Sequence, residues 1–215
     1  DPEVVEIVAT QLGLPLPPIP DRAEMLVLAK SFEVQLGITI RPLTTEDPWL
    51  GANARLAGDA FDDDALARLM PLAPALHRLD LGGTSVTDAG LALVGEMAGL
   101  QRLRLDDTAI TDTGLAQLSP LKRLVSLNLH STSVTDAALE ALTGLPRLRQ
   151  IYVWQTGITP TAVMALAEEL ENRRKLDRYR QQIAANQRRI AEETFRVDFG
   201  AKPLVLPEAP EVEAE

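Results

Sequence analysis

Residues 76–86 read Leu76-His-Arg-Leu79-Asp-Leu81-Gly-Gly-Thr84-Ser-Val86, and this stretch decides the fold. The same spacing of aliphatic residues and threonine begins again at Leu100, Leu124 and Leu148, each time 24 residues later and without an insertion. Four copies of such a pattern in strict phase do not arise from composition. A period of this length indicates that similar structural units follow one another along the chain.

A strand, a turn and a helix are predicted within each unit. Leu79 and Leu81 alternate with polar residues, as in a short strand with one face in the core. Thr87 then suits a helix N-cap, and Asp88 suits the positive end of the helix dipole. In the fourth unit Pro160 replaces that aspartate, as expected at a first helical position. We expect strands at residues 79–81, 103–105, 127–129 and 151–153.

These features are the signature of a leucine-rich-repeat solenoid, an α/β fold that is built here from 24-residue strand-turn-helix repeats. No single repeat can bury its own leucines, so neighbouring repeats have to stack. A threonine follows each strand where many such repeats carry asparagine: Thr84, Thr108, Thr132 and Thr156. We interpret this column as structural, because a threonine hydroxyl can bond to the backbone of the turn.

Toward the N terminus the repeat pattern decays. Leu56 and Phe61 follow it at a step of 25 residues, with Leu56 in the position of Leu81, as in a degenerate first repeat. The preceding segment predicts a helix that has Asp21 as its N-cap and Gly37 just past its end. These residues are expected to form the N-terminal cap of the solenoid.

The chain is predicted to contain five segments. They are a lead-in helix with a Pro-rich connector (1–20), the N-terminal cap with the degenerate first repeat (21–75), the leucine-rich repeats (76–165), an extended charged helix (166–195), and a final strand with a disordered acidic tail (196–215). No apolar run approaches 18 residues, so we do not expect this chain to span a membrane. It starts at Asp1, so we expect a mature or excised piece.

The charged helix is the second informative region. Residues 173–189 hold seven arginines and lysines against one acidic residue, inside a chain of net charge −10. A narrow apolar stripe runs through them at heptad spacing. We expect this arm to dock on an acidic protein surface or on anionic lipids. The alternative is a break near Asn172 and a hairpin packed on the last repeat. The predicted contact residues are Arg173, Arg174, Leu176, Arg178, Tyr179, Ile183 and Ile190.

The concave face of the predicted solenoid is the other candidate binding surface. The residues between the core leucines line it, and the large ones gather toward the C-terminal repeats. Tryptophan and tyrosine on a surface are typical binding anchors, with arginine close behind. The alternative is that the C-terminal segment of the chain covers Trp154. The predicted partner-binding residues are Arg102, Arg104, Asp106, Asn128, His130, Tyr152 and Trp154.

Residues for catalysis or metal binding are sparse. The chain has no cysteine, and its two histidines, His77 and His130, occupy different columns two repeats apart. It contains no nucleophile elbow, phosphate-binding glycine loop or zinc-protease motif. The acidic run at residues 62–64 falls at a predicted helix start, where capping explains it. We therefore expect no catalytic, metal or cofactor site, and no enzyme.

The chain resembles a bacterial leucine-rich-repeat family. The segments that carry the resemblance are Pro-Leu-Pro-Pro-Ile-Pro at residues 15–20, Leu-Gly-Gly-Thr-x-Val-Thr-Asp-Ala-Gly-Leu at residues 81–91, and Tyr-Val-Trp-Gln-Thr at residues 152–156. In that family such segments lie at the C-terminal end of larger envelope proteins, which often carry a c-type haem domain and membrane helices. This chain has no cysteine and therefore no haem-attachment motif, and its charged helix is unusual for the family.

The resulting expectation is a protein-interaction and scaffolding module of a bacterial envelope assembly. The resemblance implies partners among membrane-complex or c-type cytochrome subunits of an electron-transfer assembly. It also implies a periplasmic or extracytoplasmic location, with membrane association through a partner or an upstream segment. We expect no nucleic acid partner. The first alternative is a solenoid that recognises a peptide or glycan on its concave aromatic patch; the second, which the absence of a catalytic constellation disfavours, is an enzyme or an effector adaptor.

Overall fold

The structure, a computed structural model, describes residues 21–172 and residue 175. It is a mixed α/β arrangement, and the elements up to Glu171 belong to one compact unit. The strands are β1 (Thr39–Pro42), β2 (Leu50–Asn53), β3 (Leu76–Asp80), β4 (Arg102–Arg104), β5 (Ser126–Asn128) and β6 (Gln150–Tyr152). The α-helices are α1 (Arg22–Leu36), α2 (Asp63–Leu69), α3 (Asp88–Gly95), α4 (Asp112–Ala116), α5 (Leu139–Thr143) and α6 (160–172). Three 3-10 helices accompany them: Gly58–Ala60, Met70–Ala75 and Asp136–Ala138.

The six strands form one sheet in chain order. β1 and β2 are antiparallel, whereas each later strand runs parallel to its predecessor. Leu79, Leu103, Leu127 and Ile151 lie opposite one another in register. The prediction of successive parallel strands in this phase is confirmed. The strands end one residue earlier than predicted, because residue 81 and its equivalents already belong to the turn.

The helix predicted in each unit is short in the second and third units. α4 has only five residues. The chain then continues through three-residue steps, because the amides of Leu118, Leu121 and Leu124 each donate to the carbonyl three residues before. Such turns repeat every three residues and therefore keep these leucines on one side. All three side chains are fully buried against the sheet.

The N-terminal cap begins as predicted. The carboxylate of Asp21 accepts a hydrogen bond from the amide of Glu24, and α1 ends at Gly37, which is left-handed at φ 66°. Phe32 and Leu36 bury one side of the helix in the core. A left-handed position past a helix end suits glycine, which has no Cβ to clash.

The predicted position of Leu56 is wrong. Its side chain is 87% exposed, while Ala54 is buried and donates its amide to the carbonyl of Asp80. Ala54 therefore fills the place in the core that Leu81 has in the next unit. The turn from Ala54 to Phe61 is two residues longer than the turn from Leu81 to Val86, which displaces Leu56 outward. Phe61 is fully buried as predicted.

The threonine column closes the turn after each strand. The hydroxyls of Thr84, Thr108 and Thr132 donate to the carbonyls three residues before, at 2.5–2.7 Å. Thr156 makes the same bond at 2.6 Å. The structural interpretation of this column is confirmed.

A second threonine column joins one unit to the next, a role that the sequence pattern alone does not indicate. The Asp63 carboxylate accepts two hydrogen bonds from Thr87, one from its amide at 2.9 Å and one from its hydroxyl at 2.6 Å. The same paired bonds recur three times, at 2.5–3.0 Å: Asp88 with Thr111, Asp112 with Thr135, and Asp136 with Thr159. We call this series the Asp–Thr ladder. Its threonines also cap the following helices, as predicted.

The glycine of the Thr-Asp-x-Gly motif leaves room for the ladder. A Cβ atom at Gly90 or Gly114 would overlap the carboxylate of Asp63 or Asp88. The next unit carries Ala138 at this position, and there the helix starts as a 3-10 turn. The motif is therefore a packing requirement as well as a helix-start signal.

The fourth unit continues into α6, which begins at residue 160 as predicted and buries Leu166 and Leu170. The predicted helix over residues 166–195 is described only to residue 172 and at Lys175, where it is helical. The predictions for residues 1–20, for the remainder of that helix and for residues 196–215 lie outside the described residues. Within the described ranges, no helix is both long and apolar enough to cross a bilayer.

Replacing Leu127 by aspartate should unfold the chain. Leu127 is fully buried in the middle of the sheet, so the variant would place an unpaired charge in the core, at a cost of several kcal/mol. That cost approaches the whole stability of an average domain, about 5–15 kcal/mol. Loss of the circular dichroism melting transition is expected. Leu56→Asp is the matched control and should melt like the wild type; an unchanged transition in Leu127→Asp would contradict the strand phase.

The Asp–Thr ladder should contribute measurably to stability. Asp112→Ala removes both bonds to Thr135 and should lower the free energy of unfolding by about 1–2 kcal/mol. Asp64→Ala is the control, because Asp64 lies in the first turn of α2 but outside the ladder. Urea titration of both variants gives the comparison. Equal losses of unfolding free energy in the two variants would show that the ladder aspartates stabilise the chain only through their charge at the helix start.

Candidate functional site

The predicted concave face corresponds to the side of the sheet that points away from the core, which we call the open face. Two rows of side chains cross it in register. One row contains Arg41, Gly51, Arg78, Arg102, Ser126 and Gln150. The other contains Thr39, Asn53, Asp80, Arg104, Asn128 and Tyr152. From β3 to β6 this is the arrangement that the 24-residue step predicted.

The turn after each strand holds a third row in place. Gly83, Asp107, Ser131 and Gln155 are all left-handed, with φ between 56° and 66°. The amide of Asp107 donates to the carbonyl of His130, and the amide of Ser131 donates to the carbonyl of Trp154. Gly83, Asp107 and Ser131 thus each donate to the residue just before the left-handed position of the next unit. Asp106, His130 and Trp154 are fixed in line by these bonds.

One end of the open face is aromatic; this aromatic end consists of His130, Tyr152 and Trp154. Tyr152 is 54% exposed and Trp154 is 75% exposed. The ring of His130 stacks on that of Trp154, with centroids 5.5 Å apart, and its Nδ1 lies 2.9 Å from the Trp154 carbonyl oxygen. The amide of His130 is held by the side chain of Asn128. Trp154 is therefore exposed to solvent but supported from one side.

Asp106 is predicted to contact a partner on this face, but its carboxylate is almost completely buried. It accepts hydrogen bonds from the guanidinium groups of Arg55 and Arg104 and from the side-chain amide of Asn128. Burial alone would raise the pKa of Asp106, but the bonds from Arg55 and Arg104 outweigh it and hold this pKa below its ordinary value. In return, the hydrogen bond to Asp106 raises the pKa of both arginines. Asp106 thus orients two arginines, and it is they that reach solvent.

The other end of the open face is a groove of about 670 Å³ between β1 and β4. Five arginines and one carboxylate, that of Asp80, line it. The arginines define what we call the arginine groove: Arg41, Arg55, Arg78, Arg102 and Arg104. Of the residues expected to contact a partner, Arg102 and Arg104 lie here. Asn128 is half-buried between the groove and the aromatic end.

Arg41 and Arg55 belong to the cap, and the sequence pattern does not place them on the open face. Arg55 reaches Asp106 across 51 residues of sequence, a contact that no local pattern signals. Arg41 lies on β1, beside Gly51 of β2. These arginines can be placed on the open face only when the cap strand is aligned with the repeats through Ala54 instead of Leu56.

His77 lies on β3, away from the open face, and is buried against Trp49 of the cap. Its ring stacks on Trp49 at 4.1 Å between centroids, and its Nδ1 faces the side-chain amide of Gln101 at 3.3 Å. Burial, reinforced by the charge of Arg123, lowers the pKa of His77. Its Nε2 has no hydrogen-bond partner. In the described part of the chain, no three histidine, cysteine or acidic residues converge as a metal site would require.

The second predicted surface, on the charged helix, lies outside the described residues. It comprises Arg173, Arg174, Leu176, Arg178, Tyr179, Ile183 and Ile190. Its docking role stays a prediction. No protein-family model matches this chain, and a search of curated proteins finds no match either.

Replacing Asp106 by asparagine should destabilise the chain in a pH-dependent way. The change removes the charge that pairs with Arg55 and Arg104, and we expect a loss of about 2 kcal/mol at neutral pH. Because the pKa of Asp106 is lowered by folding, its contribution is complete above its ordinary pKa of 3.8. The contribution disappears as the pH falls through the lowered value.

The difference in unfolding free energy between the wild type and Asp106→Asn should therefore be large at pH 6 and shrink toward pH 2. Asp107→Asn is the control, because its half-exposed carboxylate makes only a 3.5 Å contact with Arg55. Urea titrations across this pH range provide the measurement. A difference that stays constant with pH would show that the carboxylate charge of Asp106 does not stabilise the fold.

Proposed function

We propose that this chain is a leucine-rich-repeat solenoid that acts as a non-enzymatic protein-interaction module, with the open face as its binding surface. The 24-residue step of the sequence supports the repeat assignment, since strand register, turn hydroxyls and the Asp–Thr ladder all follow it. An architecture of this kind typically works by presenting an extended surface.

The observation that carries the binding role is the exposure of Tyr152 and Trp154 on one rigid edge of the sheet. Large aromatic side chains are the commonest anchors of protein interfaces. A side chain that is already ordered loses little entropy on binding. His130 and the left-handed turn at Ser131 hold Trp154 in this ordered state before any partner arrives. Among the described residues both rings are largely exposed, as anchors for a partner have to be.

We further propose that the partner belongs to a bacterial envelope assembly outside the cytoplasm. Membrane-complex or c-type cytochrome subunits of an electron-transfer assembly are the candidates. This part of the proposal rests on the resemblance carried by residues 15–20, 81–91 and 152–156. Association with the membrane would come through the partner or through a segment upstream.

The alternative is a recognition protein that binds a free peptide or a glycan at the aromatic end. The observation that favours it is the ring of Trp154, which is three-quarters exposed beside polar neighbours such as Gln155. An aromatic ring of this kind can stack on an apolar face of a small ligand. A partner recovered as a folded protein complex would favour the interaction module instead.

Trp154→Ala should weaken partner binding by about 2 kcal/mol or more, which is about thirtyfold in Kd, and leave the melting temperature nearly unchanged. The tagged full chain is used to recover its native partner, and yield is compared with thermal melting. Val34→Ala, which truncates an 87% exposed residue of α1, is the control for loss of exposed apolar surface. A lowered melting temperature with unchanged partner yield would mean that Trp154 packs within the chain, against the proposal.

A further inference from the structure

We propose that the arginine groove binds an acidic, extended peptide segment of the partner through carboxylate–guanidinium contacts. This inference rests on the proposed interaction function and adds the chemistry of the ligand. It concerns the end of the open face opposite the aromatic residues. Three features of the groove support it: two arginines without a described ion-pair partner, a glycine closely flanked by apolar atoms, and an apolar rim.

Two of the five arginines have no ion-pair partner among the described residues. Arg41 pairs with Glu33 at 3.1 Å, while Arg55 and Arg104 pair with Asp106. Within the part of the chain that the structure describes, Arg78 and Arg102 make no ion pair or side-chain hydrogen bond. They are register neighbours on β3 and β4, and adjacent strands lie about 4.8 Å apart. Two adjacent unpaired guanidinium groups form a site for anionic oxygens.

Gly51 lines the groove beside them. It lies between Arg41 and Arg78 in the same row of the open face. A Cβ atom there would come within 3.1 Å of the Leu43 side chain and 3.4 Å of the Arg78 Cβ. Because Gly51 has no side chain, Leu43 and the stem of Arg78 pack closely over its backbone and add apolar surface beside the charged ends.

The rim of the groove is apolar where it is not cationic. Leu56 projects from the cap turn with 87% of its surface exposed, and Leu43 is half-buried on the same side. Both line the groove. The arginine stems add further apolar surface beneath their charged ends. The ligand that matches this lining carries carboxylates together with aliphatic side chains.

Carboxylates fit the groove better than a nucleic acid does. A guanidinium group presents paired donors that match a carboxylate in a bidentate contact. Phosphates would match as well, but the whole chain carries a net charge of −10 and would repel a long polyanion. Charges further apart than about 8–10 Å are largely screened at physiological salt. A short acidic segment therefore responds mainly to the local arginines.

The test uses the full 215-residue chain and a fluorescein-labelled 12-residue peptide of alternating glutamate and leucine. Its affinity is measured by fluorescence anisotropy at low and at physiological salt. The matched peptide has glutamine in place of glutamate. The wild type should bind the glutamate peptide at least about tenfold more tightly than the glutamine peptide, and added salt should weaken this binding.

The double variant Arg78→Gln/Arg102→Gln should lose at least about tenfold in affinity for the glutamate peptide and most of its salt dependence. The control is Arg68→Gln/Arg147→Gln, which removes the same charge from exposed residues that do not line the groove. Thermal melting checks that both variants fold. The control should bind like the wild type, which separates a local effect of the groove from the effect of net charge.

Three outcomes would overturn the inference. They are failure of the wild type to prefer the glutamate peptide, equal binding by the two double variants, and tighter binding of a single-stranded oligonucleotide than of the peptide. The variant Trp154→Ala separates a failure of this inference from a failure of the proposed function. Under the inference it keeps peptide affinity, since Trp154 does not line the groove. If Trp154→Ala loses the native partner but keeps peptide binding, partner recovery tests the proposed function and peptide affinity tests the inference about the groove.

Discussion

Paired hydrogen bonds between an aspartate and a threonine join each unit of the described chain to the next. The carboxylate of Asp88, for example, accepts both the amide and the hydroxyl of Thr111. These bonds lie on the helical side of the sheet, opposite the strand ladder, and so fix each unit at two separated places. The leucine core then has only one register in which to pack. The regular spacing of side chains on the open face follows from this double attachment.

The same attachment orders the polar side chains. Left-handed residues such as Asp107 and Ser131 tie each turn to the next, so the rows on the open face inherit the spacing of the strands. Asp106 shows how this order changes chemistry. In an isolated unit the carboxylate of Asp106 would be solvated. In the folded chain Arg55 and Arg104 cover it, and their guanidinium groups are exposed instead. Charge on the face is therefore set by pairs across units and not by single residues.

The sequence predicted what depends on local or periodic constraints. Helix α1 was placed from Asp21 and Gly37, and the strand phase from leucines such as Leu127, because capping and alternation act over a few residues. The cap turn was misplaced because a leucine occurs by coincidence at residue 56, while the core position is filled by small Ala54. The arginine groove could not be predicted, since the contact of Arg55 with Asp106 spans 51 residues. The pattern of the cap carried no signal for it.

The Asp–Thr ladder also has a direction, with consequences for how such a chain can change in length. Each of its inner units offers an acceptor on one side and a donor on the other, so its two sides are complementary to each other. A duplicated segment of 24 residues would join its neighbours head to tail through the bonds that already exist. Gene duplication could therefore lengthen the open face between its arginine and aromatic ends while both ends keep their residues. The number of units would then set the distance between the two ends.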